Sequence, residues 1–175
     1  MLMLPVTAMY LVKLYKRLKG MHIRVMLACV FIVCSVLSGG LSIAREIVSD
    51  YQLLSADEVL AAEYIEENLP ADAVILTGDQ HNNAVAALTG RDIVCGTGSY
   101  LYFHGLDYSD QYYAMKAMLT DPENNRALFE EYGVDYVYIS DQERYGQGAD
   151  DAWFAENCDL LFASGNVCVY AYTAV

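Results

Sequence analysis

Three rhythms of apolar and polar positions divide this chain. The first is a run without rhythm. Val25–Ala44 (VMLACVFIVCSVLSGGLSIA) holds twenty residues and no charge, between Arg24 and Arg45. At about 1.5 Å per residue, a helix over this run spans roughly 30 Å, the hydrocarbon thickness of a bilayer. A helix also pairs its own backbone groups in lipid, so the run predicts one transmembrane helix. Before it, Met1–Val12 is apolar but too short to cross a bilayer, and Leu11–Gly20 (LVKLYKRLKG) is basic and amphipathic, suited to a membrane surface. The segment has two readings, an interfacial helix or the tail of an earlier membrane helix followed by a short basic loop. A third is a signal peptide cleaved after Ser42-Ile43-Ala44, against which stand the long basic region and the long apolar run.

Beyond a linker or helix extension over residues 45–54, helical and strand rhythms alternate. Ser55-Ala-Asp-Glu58 is a capping box, and Val59, Ala62, Ile65 and Leu69 follow at helical spacing until Pro70. Ala73–Thr77 predicts a buried strand. The polar loop Gly78–Asn83 leads to a short helix, Ala84–Leu88, that Gly90 stops, and Asp92–Cys95 predicts a second strand. Gly96-Thr-Gly-Ser99 turns into an aromatic stretch ending at Tyr108. Ser109 and Asp110 are placed to cap a helix over 111–119, and Asp121-Pro122 opens another, with Ala127, Leu128 and Tyr132 inward and Gly133 as its stop. Val134–Ser140 alternates as a strand. A loop over 141–150, a helix over 151–158, and strands 160–163 and 167–173 around Ser164-Gly-Asn166 complete the order. This order predicts an α/β fold for residues 55–175: a small, mainly parallel sheet flanked by helices, with a C-terminal antiparallel hairpin, preceded by one transmembrane helix.

Charge adds a direction. The net charge of −13 conceals an asymmetry. Residues 1–44 contain Lys13, Lys16, Arg17, Lys19 and Arg24 and no acid, whereas residues 45–175 hold the other five bases and all 23 acids. Basic flanks stay cytoplasmic, which predicts a cell-membrane protein with residues 1–24 inside and the acidic domain extracytoplasmic. So acidic a domain has no footprint for nucleic acid. Cys29 and Cys34 fall in the apolar run as packing residues. Cys95, Cys158 and Cys168 are read as buried thiols, with a Cys158–Cys168 disulfide as the alternative. No zinc spacing occurs, and neither a metal nor a cofactor is expected.

Ligands of open α/β sheets bind beyond the carboxyl ends of the parallel strands. Residues 78–82, 96–108 and 141–144 are expected there, bringing Asp79, His81, His104, Asp107 and Arg144 within range of one another. Such a set suits a divalent cation or a proton transfer; alternatively Asp79 and Asn82 cap the next helix and the histidines are loop residues. Gly96-Thr-Gly98 is read as a tight turn rather than a phosphate nest, and Arg91 as an anion contact or the partner of an acid. Tyr100, Tyr102, Phe103 and Tyr108 suit a sugar or a membrane interface, or else bury their rings in the core.

Leu88-Thr-Gly-Arg91, Val94-Cys-Gly96, Tyr102-Phe-His-Gly-Leu-Asp-Tyr108, and Leu128–Ser140 (LFEEYGVDYVYIS) with Glu143-Arg144 form a set. It resembles the extracytoplasmic C-terminal domain of large polytopic bacterial membrane proteins, similar to lipid-phosphate-sugar-dependent glycosyltransferases of the multi-spanning GT-C architecture. In that family the tail follows many membrane helices and the catalytic acid sits in an early outer loop. The resemblance therefore implies a fragment, or one half of a split protein, without the catalytic part, and no catalytic residue is carried over. It implies an accessory domain that positions a lipid-linked sugar or an acceptor, with the lipid bilayer and the membrane helices of a companion protein as partners. The alternatives are a free-standing anchored binding or assembly module, and a small metal-dependent enzyme using Asp79, His81 and His104.

Overall fold

The computed structural model describes residues 3–17, 20–49 and 52–173. Lys19 of the basic stretch, and Asp50 and Tyr51 of the linker, lie outside the described residues. The chain forms two compact units, Met1–Tyr51 and Gln52–Val175.

In the first unit, α1 (Met3–Arg17) is one continuous helix that joins the apolar start to the described part of the basic stretch. α2 (Met21–Val48) extends the apolar run at both ends and buries none of its residues within the protein. Among the described residues it is the helix long and apolar enough to cross a membrane. Arg24 lies 5.6 Å from the centre of the Tyr15 ring and donates to the Lys16 carbonyl at 3.4 Å, tying the end of α1 to the start of α2.

The second unit is α/β. Its elements are α3 (Ala56–Asn68), β1 (Val74–Leu76), α4 (Ala84–Leu88), β2 (Asp92–Ile93), α5 (Gly98–Phe103), α6 (Ser109–Thr120), α7 (Arg126–Glu131), β3 (Tyr136–Ile139), a π-helical segment (Gln142–Gln147), α8 (Asp151–Asn157), β4 (Asp159–Ser164) and β5 (Val167–Ala171). Five strands pair in the order β2-β1-β3-β5-β4. β2, β1 and β3 run parallel, while β5 lies antiparallel to both β3 and β4. The expected parallel core and terminal hairpin are both present. Two segments whose sequence suggests irregular backbone are helical: α5, inside the aromatic stretch, and the π-helical segment after β3.

Side chains of a strand point alternately to its two faces, and here helices cover both. Leu76, Val137, Ile139 and Tyr170 join Met115, Met118, Leu119, Phe129 and Phe154 from α6, α7 and α8. Ile75, Tyr138, Val167 and Val169 join Ala61, Ile65, Ala84 and Val85 from α3 and α4. Local signals set the element ends. Glu58 donates its amide to Ser55 Oγ at 3.2 Å, and Ser55 returns its own to Glu58 Oε2 at 2.6 Å. Gly90 and Gly133 adopt φ of 63° and 61°, a left-handed backbone that glycine enters without a Cβ clash. The cap of α4 is Asn83, whose Oδ1 accepts from Ala86 N at 3.1 Å, rather than Asp79 or Asn82. Ser109 and Asp110 lie inside α6 instead of capping it.

Strand register rules out the Cys158–Cys168 disulfide. Cys168 pairs with Ala163, whereas Asp159 pairs with Ala171, so Cys158 lies about four residues, or ~13 Å, further along the hairpin. A disulfide needs Cα atoms within about 7 Å, and both thiols are free.

Candidate functional site

A groove of about 930 Å³ opens at the carboxyl ends of β1 and β2. The loop after β1 supplies Asp79, Gln80 and His81. The turn after β2 supplies Thr97, Gly98 and Ser99. Tyr102 from α5, Asp107 and Tyr108 from the following loop, and Tyr112 and Tyr113 from α6 form the rest of the wall. None of the lining residues is Lys or Arg.

Its parts are held differently. Gln147 Nε2 donates to Asp79 Oδ1 at 2.8 Å, so the π-helical segment fixes that carboxylate. Asp107 Oδ1 accepts from the Ser109 amide at 3.1 Å, and this bond holds its carboxyl below the usual carboxylate range. Gly98 explains the shape of the wall: a Cβ there would meet the Tyr108 ring at 2.7–2.9 Å. The ring rests on the bare backbone, which a side chain at this position would forbid. Burial pushes the Cys95 thiol up to about 11, and the Asp79 charge pushes the same way. His81 forms no hydrogen bond to a described residue and stands exposed at the mouth.

Four of the expected site residues therefore meet: Asp79, His81, Tyr102 and Asp107. Three do not. His104 caps α5 through its backbone and is absent from the lining, so the Asp79–His81–His104 trio is not assembled. Among the described residues, no group of three or more His, Cys, Asp or Glu is placed to hold a metal ion.

Arg91 pairs with no acid among the described residues. Its guanidinium donates to the carbonyls of Glu66 and Leu69 at 3.0 and 2.9 Å and of Thr89 at 3.0 Å, tying down the end of α3. A helix end leaves such carbonyls without partners, and that need outcompetes an exposed carboxylate. Arg144 turns from the groove to the hairpin. It bonds Asp151 Oδ2 at 2.8 Å, the Asn166 carbonyl and Cys168 Sγ. Burial opposes its charge, but Asp151 and Cys168 outweigh that, and its pKa lies above the ordinary value.

Segment 141–144, expected in the groove, borders a neighbouring hollow instead. Asp141 and Gln142 line this smaller space of about 370 Å³ with Ser55, Asp57, Asn82 and Asn166. Between the two spaces lies Glu143, whose role the sequence pattern did not single out. Glu143 is wholly buried. Its Oε1 accepts from Thr77 Oγ1 at 3.0 Å, Gly78 N at 3.0 Å and Gln80 Nε2 at 2.8 Å. Its Oε2 accepts from Ser140 N at 2.9 Å and Ser140 Oγ at 2.5 Å. The carboxylate thereby clamps the end of β1 to the end of β3, where the crossovers on either side diverge. A buried carboxylate so surrounded is a structural anchor, since both of its oxygens already accept from the protein's own donors. A signal exists: Ser140-Asp-Gln-Glu143 repeats the S-x-x-E spacing of Ser55–Glu58.

Compared with known proteins, the chain matches no family model and no curated protein at a significant level.

Proposed function

We propose that this chain is a membrane-anchored binding domain that holds a sugar ring in the tyrosine groove. It serves as the non-catalytic accessory part of a glycosyltransferase-like membrane protein, with its N-terminus cytoplasmic and the α/β unit extracytoplasmic. The observation that carries the reading is the composition of the groove: Tyr102, Tyr108, Tyr112 and Tyr113 beside Asp79, Gln80 and Asp107. Tyrosine faces stack on the apolar side of a sugar, and carboxylates and amides accept and donate to its hydroxyls. The anchor rests on α2, and the orientation on the basic residues of 1–24 and the acids beyond 45.

The groove also selects by charge. Two carboxylates and no Lys or Arg line it, so a phosphate or a uronic acid meets repulsion there. On a lipid-linked sugar the domain grips the sugar and leaves the phosphate outside.

The test is saturation-transfer NMR on the full chain in nanodiscs, with neutral hexoses, N-acetylhexosamines and hexose 1-phosphates. Transfer to a neutral sugar, lost in Tyr102→Ala and retained in Tyr145→Ala, supports the reading. Equal transfer to the phosphorylated sugar, or none to any sugar, refutes it. Protease added to intact cells or spheroplasts tests orientation: the α/β unit is digested from outside if it is extracytoplasmic.

A further inference from the structure

The outer lip of the groove carries an exposed apolar surface that shares Tyr102 and Leu106 with the groove and extends beyond it to Tyr100 and Phe103. Tyr100, Tyr102, Phe103 and Leu106, on α5 and the turn after it, are 59%, 71%, 83% and 57% exposed. The Tyr102 and Phe103 rings touch edge to face, with centroids 5.7 Å apart. The other large apolar side chains exposed on this unit, such as Leu60, Leu88, Tyr145 and Leu160, stand on separate elements. Single exposed apolar residues are ordinary, but a cluster of aromatic ones marks a contact surface.

Three observations select lipid as the contact. The first is the tether. α2 ends at Val48 and the second unit begins at Gln52. At ~3.5 Å per residue that link reaches about 14 Å, so any bilayer that α2 crosses stays at high local concentration around the domain. The second is chemistry. Tyr and Phe combine apolar rings with, in Tyr, a hydroxyl, and such side chains settle at the headgroup level. The third is charge. From Ile93 to Leu106 the chain has no Asp, Glu, Lys or Arg, within a unit otherwise rich in acids. The four lip side chains are uncharged, and the exposed carboxylate of Asp107 directly after Leu106 bounds them, so an anionic surface is disfavoured there.

We infer that the α5 lip seats in the headgroup layer of the leaflet at the Val48 end of α2, in lipid of zwitterionic rather than anionic character. The inference rests on the reading of α2 as a membrane span. It adds a consequence for the groove: Tyr102 belongs to both surfaces, so a seated lip opens the groove at the depth where the headgroup of a lipid-linked sugar stands.

Brominated lipids test this in the full chain. Nanodiscs of phosphatidylcholine are prepared with and without acyl chains brominated near the glycerol. The wild-type chain, whose single tryptophan is Trp153, sets the baseline. Phe103→Trp adds a reporter on the lip, and Tyr145→Trp adds one at an exposed position on a different element, the π-helical segment. The expected result is at least about twofold quenching of the Phe103→Trp emission over baseline, with the Tyr145→Trp emission unchanged. Quenching of both reporters alike, or of neither, overturns the inference. Alkaline carbonate extraction of native membranes separates the two failures. A chain washed out by carbonate fails as a membrane span; a chain retained but unquenched at Phe103→Trp keeps its span and loses its lip contact.

Discussion

Two neighbouring places at the carboxyl end of the sheet are built from the same materials and serve opposite ends. Over β1 and β3, Glu143 is buried and its two oxygens take donors from both strands' ends. Over β1 and β2, Asp79 and Asp107 face an open groove among tyrosines. A carboxylate enclosed by its own protein's donors stabilises the fold and has nothing left for a ligand. A carboxylate held by one bond on a concave, aromatic wall keeps accepting capacity for something else. Loss of the first should therefore appear as instability, and loss of the second as lost binding with the fold intact.

The strongest way to break that contrast is Glu143→Ala, which strands the donors of Thr77, Gly78, Gln80 and Ser140. We expect a loss of about 3–5 kcal/mol in chemical denaturation, with Glu143→Gln losing about 1–3 kcal/mol because its amide still accepts on one side. A loss under about 1 kcal/mol for Glu143→Ala would mean that the clamp is not structural. Arg91→Ala should follow, at about 1–3 kcal/mol in the same measurement, since it frees carbonyls at the end of α3. Gly98→Ala, in the groove wall, touches stability and binding at once. Its Cβ displaces the Tyr108 ring, costing about 1–2 kcal/mol and weakening sugar binding together, and calorimetry on one sample reads both.

Alkali sharpens the comparison. Burial pushes the thiols of Cys95 and Cys158 up to about 11, from 9.0 when unfolded. Below about pH 9 both states keep these protons and stability is unaffected. Between about 9 and 11 the unfolded chain releases them while the folded chain holds on, so stability falls as pH rises. Cys95→Ala should flatten that slope in pH-dependent melts, and an unchanged slope assigns it elsewhere. The smallest stability effect belongs to Tyr102→Ala, within about 0.5 kcal/mol, because its ring is exposed. Its sugar affinity should nonetheless fall about tenfold by the NMR titration, the worth of one ring contact.

Near-neighbour signals are legible in the order of residues. The Ser55–Glu58 box, the glycine stops at 90 and 133, the alternation along 134–140 and the uncharged run at 25–44 each require only residues a turn or a strand apart. The approach of the loop after β1 and the turn after β2 is legible too, because it follows from the ends of two adjacent parallel strands, but His104 and Arg144, expected with Asp79, His81 and Asp107, do not line the groove. α5 is harder to see: Gly96-Thr-Gly-Ser99 has turn chemistry throughout, yet Gly98 opens a helix and serves as the seat of Tyr108, ten residues on.

The chain's own order of residues determined most of its elements (α5 and the π-helical segment aside), its α/β class and its separation into a basic, apolar start and an acidic remainder, since helix caps, strand alternation and a long uncharged run are local properties. Tertiary structure alone decided the fates of the charges. Arg91 answers carbonyls at the end of α3, Arg144 serves the hairpin, and Glu143 takes the amide of Gly78, 65 positions earlier. A buried or half-buried charge goes where unpaired polar groups collect, and those places exist only once the helix ends and strand ends have been packed together.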